Sequence, residues 1–155
     1  MINIEWRKDT LVLLDQTKLP TEISYVHCTD WRQVAEAIKM LRVRGAPAIG
    51  VILAAMEASR QEVPFSEQLM SLYDFSETLK ETRPTAINLA WAVDRVMSLV
   101  KANVTSMSSM SEVVDLITKE AIIIHEEDVS LNRRMAEAGA TLFEGKKNIR
   151  ILTHC

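Results

Sequence analysis

The chain has 155 residues, 48% of them hydrophobic and 25% charged, which is the balance of a folded globular domain and excludes a disordered one. Against 21 Asp and Glu stand 18 Lys and Arg, so the formal net charge of −3 argues against a general nucleic-acid coat. Only 4 Gly favour helix over loop-rich or all-β folds, and 2 Cys (Cys28 and Cys155) make no disulfide framework.

From the start of the chain, Ile4-Glu5-Trp6 and Leu11-Val12-Leu13-Leu14 flank a polar turn and predict a hairpin. The charged opening MINIEWRKD has no apolar core of the kind a secretory signal needs. Ile23 to His27 alternates as a third strand. Three strands with one apolar face need a packing partner, and helices follow.

Asp30 with Gln33 makes a capping-box start to a helix that carries Trp31, Val34, Ile38 and Leu41 and runs through Arg42. The break Arg44-Gly45-Ala46 leads to a second helix, Pro47 to Arg60, with Pro at its first position. Pro64 and Ser66 open a third, to about Glu81. After Arg83-Pro84-Thr85, Thr85 is placed to cap a fourth, carrying Leu89, Ala92, Val93, Val96 and Val100. Ser109 with Glu112 opens a long helix to about Phe143. Its apolar run Ala121 to Ile124 stops at His125-Glu126-Glu127-Asp128, far short of a membrane span. Beyond Gly145, the β-branched run Ile149 to Thr153 reads as the opening strand of a new α/β unit. The fold class expected is therefore α+β and mostly helical: a small three-stranded antiparallel sheet, then a helical bundle. The chain reads as cytoplasmic, with no membrane partner.

The segment Val43-Arg44-Gly45-Ala46-Pro47-Ala48-Ile49-Gly50 is the strongest local signal for chemistry. Gly45 opens backbone angles closed to other residues, ahead of a helix whose first N–H groups lack internal partners. That helix start, its dipole and Arg44 suit a phosphate or another anion. The plain alternative is a helix–helix corner with Arg44 in solvent. Arg83-Pro84-Thr85-Ala86-Ile87-Asn88 has the same shape, so two arginines can converge on one anion, or Arg83 can snorkel from its loop. His27-Cys28 and His154-Cys155 carry zinc-ligand types, but strand neighbours face opposite ways and the spacing of zinc sites is absent, so no metal is expected. His125 with Glu126, Glu127 and Asp128 is either an acid–base group or a solvated acidic turn. Asp128 and Asn132, with Glu127 and Arg134 nearby, are expected to make polar contacts or an interface.

Taken in order, Ile4-Glu5-Trp6, Leu13-Leu14-Asp15-Gln16-Thr17-Lys18-Leu19-Pro20, Val43 to Gly50, Arg83 to Leu89, Glu126 to Asp128 through Asn132-Arg133, Gly139-Ala140 and Leu152-Thr153-His154-Cys155 resemble one family. It is the methylthioribose-1-phosphate isomerases, within the wider initiation-factor-2B-like group. The resemblance implies a cofactor-free aldose–ketose isomerase of methionine salvage, acting on a sugar phosphate and usually dimeric. It implies that Arg44, Gly45 and Ala46 bind substrate, that Arg83 contacts it, and that Cys155 is the catalytic cysteine. It implies a domain over residues 1–146 and, from 147 to 155, the start of a truncated Rossmann-like domain that would carry the Asp general acid. On that reading the fragment has little or no activity. The chain stops at Cys155 where the family continues with Asn, and it has Met135-Ala136 where the family usually has Ile-Gly. A terminal carboxylate on Cys155 would raise its thiol pKa. Two other readings are a non-catalytic initiation-factor-2B-like interaction module and a ribose-1,5-bisphosphate isomerase relative.

Overall fold

A computed structural model describes residues 4–7, 10–43 and 47–152, with the side chains of residues 47–49 left outside that description. Strands β1 (Ile4–Arg7), β2 (Thr10–Leu14) and β3 (Tyr25–Cys28) form an antiparallel meander in the order β1-β2-β3. Pairing sets Ile4 and Val26 either side of Leu13, and Trp6 and Cys28 either side of Leu11. Those two rows form the core-facing side of the sheet, while Glu5, Val12 and His27 share the other. The third strand starts two residues later than Ile23, which is exposed.

Among the described residues five α-helices follow: α1 (Trp31–Lys39), α2 (Pro47–Ser59), α3 (Phe65–Glu81), α4 (Ile87–Asn103) and α5 (Met110–Thr141). The two capping boxes form as expected. The Asp30 side chain accepts from backbone N–H groups while Gln33 reaches back, and Ser109 and Glu112 do the same for α5. Two other expected ends differ. Helix α1 stops at Lys39 instead of Arg42, because Leu41 takes a left-handed conformation at φ 59°. Leu41 N–H then donates to Ile38 O and Arg42 N–H to Ala37 O, the pair of bonds of a Schellman stop, which a glycine would ordinarily supply. Thr85 does not cap α4. Residues 83–86 close as a turn, Ala86 N–H donating to Arg83 O at 2.9 Å, and α4 begins one residue later without a side-chain cap.

Helix α2 is the hub, packing against α1, α3, α4 and α5. Val51 through Ala55 are buried without a break, as expected for a helix surrounded on all sides. Gly50 permits this approach: a Cβ there would sit 3.2 Å from Val34 Cγ1 and 3.5 Å from Leu79 Cδ1. Around the hub, Trp31 of α1 stacks on Phe75 of α3 at 4.9 Å between centroids. Ion pairs tie the outer faces: Arg32 to Glu57 at 2.7 Å across α1 and α2, and Lys80 to Asp94 at 2.7 Å across α3 and α4.

Helix α5 has two unlike halves. Met110, Val113, Ile117, Ala121 and Ile124 are buried, whereas every residue from His125 to Ala138 is exposed. The helix therefore leaves the body near residue 125 and runs on into solvent. Residues 149–152 are exposed and form no strand; with no neighbouring edge to complete its hydrogen bonds, the expected strand does not assemble over its described residues.

Candidate functional site

Strand β2 ends at Leu14, and the next side chain, Asp15, is only 2% exposed. A buried carboxylate needs partners, and Asp15 has three. Its Oδ1 accepts from the Thr17 hydroxyl at 2.5 Å and the Thr17 N–H at 3.0 Å, and its Oδ2 accepts from Arg42 Nη1 at 2.7 Å. The Thr17 hydroxyl, then Arg42, hold the Asp15 carboxyl below its ordinary range, against burial that pushes it up. Arg42 also reaches Glu36 at 3.4 Å, and its carbonyl accepts from Gln16 N–H at 2.8 Å. The Asp15-Gln16-Thr17 segment is thus latched, by side chain and backbone, to residue 42. Two residues later the chain enters Arg44-Gly45-Ala46.

Arg44, Gly45 and Ala46, expected to bind substrate, lie outside the described residues, as does the expected catalytic thiol Cys155. Their frame is described: the latch at residue 42 on one side and α2, from Pro47, on the other. Arg83 is described. It lies partly buried in the turn before α4, makes no ion pair among the described residues, and precedes a helix start without a side-chain cap. A free guanidinium beside open helix N–H groups is chemically suited to an oxyanion.

Cys28, considered above with His27 as a ligand type, is fully buried, and burial pushes its thiol up to about 11. It is a core side chain rather than a nucleophile. Of the His125 to Asp128 cluster, Glu127 joins Glu120 in a structural clamp. Arg95 of α4 donates from Nε to Glu120 at 2.6 Å and through both Nη atoms to Glu127 at 2.5 and 3.1 Å, while lying over the Trp91 ring. Those carboxylates drive the Arg95 pKa up and Arg95 draws that of Glu127 down, so both stay charged across the ordinary pH range. A groove of about 560 Å³ runs past Arg60, Gln68 and the start of α5. Ser109 and Glu112 already satisfy that helix end, and Arg60 is the single cation among the described residues on the groove's wall.

Residue reasoning missed the Asp15–Arg42 latch. Asp15 stands inside the Leu13 to Pro20 motif, but 27 positions separate the partners and no local spacing joins them. An aspartate directly after four consecutive apolar residues was the available signal, since a carboxylate carried inward by a strand must find a cation or donors.

Comparison with known proteins places this arrangement. The sequence pattern of the initiation factor 2 subunit family matches residues 42–155, from the latch arginine onward. The methylthioribose-1-phosphate isomerase of Desulforamulus reducens is 41% identical, over 98% of this chain and 44% of that protein. That of Carboxydothermus hydrogenoformans is 39% identical over 100% of this chain and 45% of its own length. This chain thus spans less than half the length of these curated relatives and corresponds to their N-terminal portion. Among solved structures, 5-methylthioribose 1-phosphate isomerase from Pyrococcus horikoshii superposes with TM-score 0.79 at 36% identity, covering 90% of this chain and 40% of that one. The delta subunit of translation initiation factor eIF-2B from A. fulgidus gives TM-score 0.77 at 38% identity, covering 90% and 41%. The fold of this chain is thus shared with these two solved structures, and the chain belongs to the initiation factor 2 subunit family.

Proposed function

We propose that this chain is the N-terminal portion of an aldose–ketose isomerase that interconverts 5-methylthioribose 1-phosphate and 5-methylthioribulose 1-phosphate in methionine salvage. The observation that carries the reading is the 41% identity, over 98% of this chain, to a relative named for that substrate. Arg83, without an ion pair among the described residues and before an uncapped helix start, is in keeping with it. In this reading Arg44, Gly45 and Ala46 bind the sugar phosphate with Arg83, and Cys155 is the catalytic thiol.

The substrate sets the chemistry. Phosphate on the anomeric oxygen prevents simple ring opening, so hydrogen must move between C1 and C2 inside a sheltered pocket, with a thiol and a carboxylic acid as the proton-handling groups. The acid belongs to a Rossmann-like second unit beginning near residue 147, which this chain enters only by a few residues. The chain alone therefore binds the phosphate end weakly and turns over little. No metal or nucleotide cofactor takes part, and the whole enzyme is a cytoplasmic homodimer.

Calorimetric titration of the chain with methylthioribose 1-phosphate tests the binding role. Arg83→Ala should weaken binding about tenfold, the loss of one charge-assisted contact. Equal affinity in the variant removes Arg83 from the site. Turnover by the 155-residue chain at a full enzyme's rate would overturn the division of labour. The near-equal likeness to the eIF-2B delta structure favours one second reading, a non-catalytic interaction module. A folded chain that ignores every sugar phosphate supports that reading instead.

A further inference from the structure

Strand β2 carries Asp15 inward behind four buried apolar residues, and both its backbone and its side chain are committed there. Asp15 N–H donates to Ser24 O at 2.9 Å, and the carboxylate accepts three bonds from Thr17 and Arg42. Arg42 is engaged in the same way. Its N–H donates to Ala37 O at 2.9 Å, its carbonyl accepts from Gln16 N–H at 2.8 Å, and its guanidinium spans Asp15 at 2.7 Å and Glu36 at 3.4 Å. The next residue, Val43, is 2% exposed and sunk in the core. On the far side of residues 44–46, α2 is set by the close approach of Gly50 to Val34 and Leu79.

As a source of stability a buried pair of this kind is inefficient, because desolvating the two charges cancels much of their attraction. Apolar side chains of the same shape would join the end of β2 to the end of α1 as well. What apolar packing does not supply is direction. Charge-assisted hydrogen bonds fix an angle and a register, and here they fix them at residue 42, two positions before Arg44. The same bonds neutralise Arg42. A guanidinium shared between Asp15 and Glu36 is withdrawn from competition for an anionic ligand.

We infer that Asp15 is a positioning residue for substrate: acting through Arg42, it sets the entry to the Arg44-Gly45-Ala46 motif and so the affinity for the sugar phosphate. The inference rests on the reading of those three residues as substrate-binding. Charge alone predicts the opposite result. Removing an anion close in sequence to an anion site should tighten phosphate binding by Coulomb attraction, whereas removing a positioning residue should loosen it.

Calorimetric titration with methylthioribose 1-phosphate reads the sign, at a temperature where circular dichroism shows each variant fully folded. Asp15→Asn should raise Kd about tenfold. Arg42→Met, which removes the group that Asp15 acts through, should raise it to a similar extent. The double variant should stay near tenfold instead of reaching about a hundredfold, because both losses pass through one contact. Glu36→Gln takes the same charge from the exposed side of Arg42 and should leave Kd within about twofold. Thr17→Val keeps the ion pair and deletes one bond to the carboxylate, so it serves where the other variants do not fold, with an expected rise of about threefold.

An affinity unchanged or tightened by Asp15→Asn overturns the proposal and leaves the substrate reading intact. So does a double variant at the product of the two single losses. A parent chain that binds no sugar phosphate, or an Arg44→Ala variant that binds as well as the parent, overturns the reading itself and the proposal with it.

Discussion

The two halves of α5 carry one sequence pattern to opposite ends. In the first, Val113, Ile117, Ala121 and Ile124 sink into the body against α2 and α4; in the second, Leu131 and Met135 hold the same angular positions in water. Helix geometry is the same throughout, so propensity and capping do not separate them. What separates them is whether other elements lie alongside. The comparison shows that an amphipathic stripe marks a surface to be covered, and that burial is decided by what else is present.

The sharpest way to break this contrast is a matched pair on the stripe. Ile117→Ala should cost roughly 2–5 kcal/mol, from lost burial and a cavity, read by urea denaturation. Met135→Ala, measured at dilution, should move stability by less than about 0.5 kcal/mol. Equal losses would show that the projecting half is as much part of the cooperative unit as the buried half. Amide exchange offers the same test without mutation, with fast exchange expected beyond residue 125 and slow exchange before it.

Next in size is the latch. Asp15→Asn removes the charge that Arg42 and Thr17 are gathered around and should cost about 2 kcal/mol. The sign of the pH effect follows from its lowered pKa: the folded state binds the proton less readily than the unfolded one. The contribution is complete above the ordinary carboxylate range and is lost as the pH falls below about 4, through the depressed value. Acid titration of Asp15→Asn should therefore show a shallower loss of stability than the parent chain. An unchanged acid limb would sever the latch from stability.

The smallest expected effect is a gain. Leu41→Gly relieves a left-handed leucine at an exposed helix stop and should stabilise by roughly 0.5–1 kcal/mol in thermal unfolding. A loss would show that the Leu41 side chain contributes more by contact than its backbone costs.

Much of the body was legible because its signals are local. The capping boxes at Asp30 and Ser109, the strand pattern around Leu11–Leu14 and the proline starts are each written within a few residues. Where the reading slipped, a hydrogen bond that the side-chain pattern does not announce decided the outcome. Leu41 continues the apolar spacing of α1, yet α1 ends before it, and Arg42 beyond the stop meets Asp15 and Gln16. Thr85 offered a hydroxyl at the right distance, yet the turn closed through the Arg83 carbonyl. In the candidate site the arginine-before-helix motif pointed to Arg83, which stands in the turn before α4 with no ion pair among the described residues. The latch ahead of Arg44 was half legible: Asp15 after four apolar residues calls for a partner, but nothing local names Arg42, 27 residues away.

The Arg95 clamp has a mechanical consequence. It grips α5 at Glu127, and the helix continues unsupported to Thr141, an arm of about 21 Å. A tilt of about 5° at that fulcrum carries the tip through about 2 Å, a displacement comparable to the slack of a side-chain rotamer. Three charged groups, one on α4 and two spaced about two turns apart on α5, thus set the aim of everything attached beyond them.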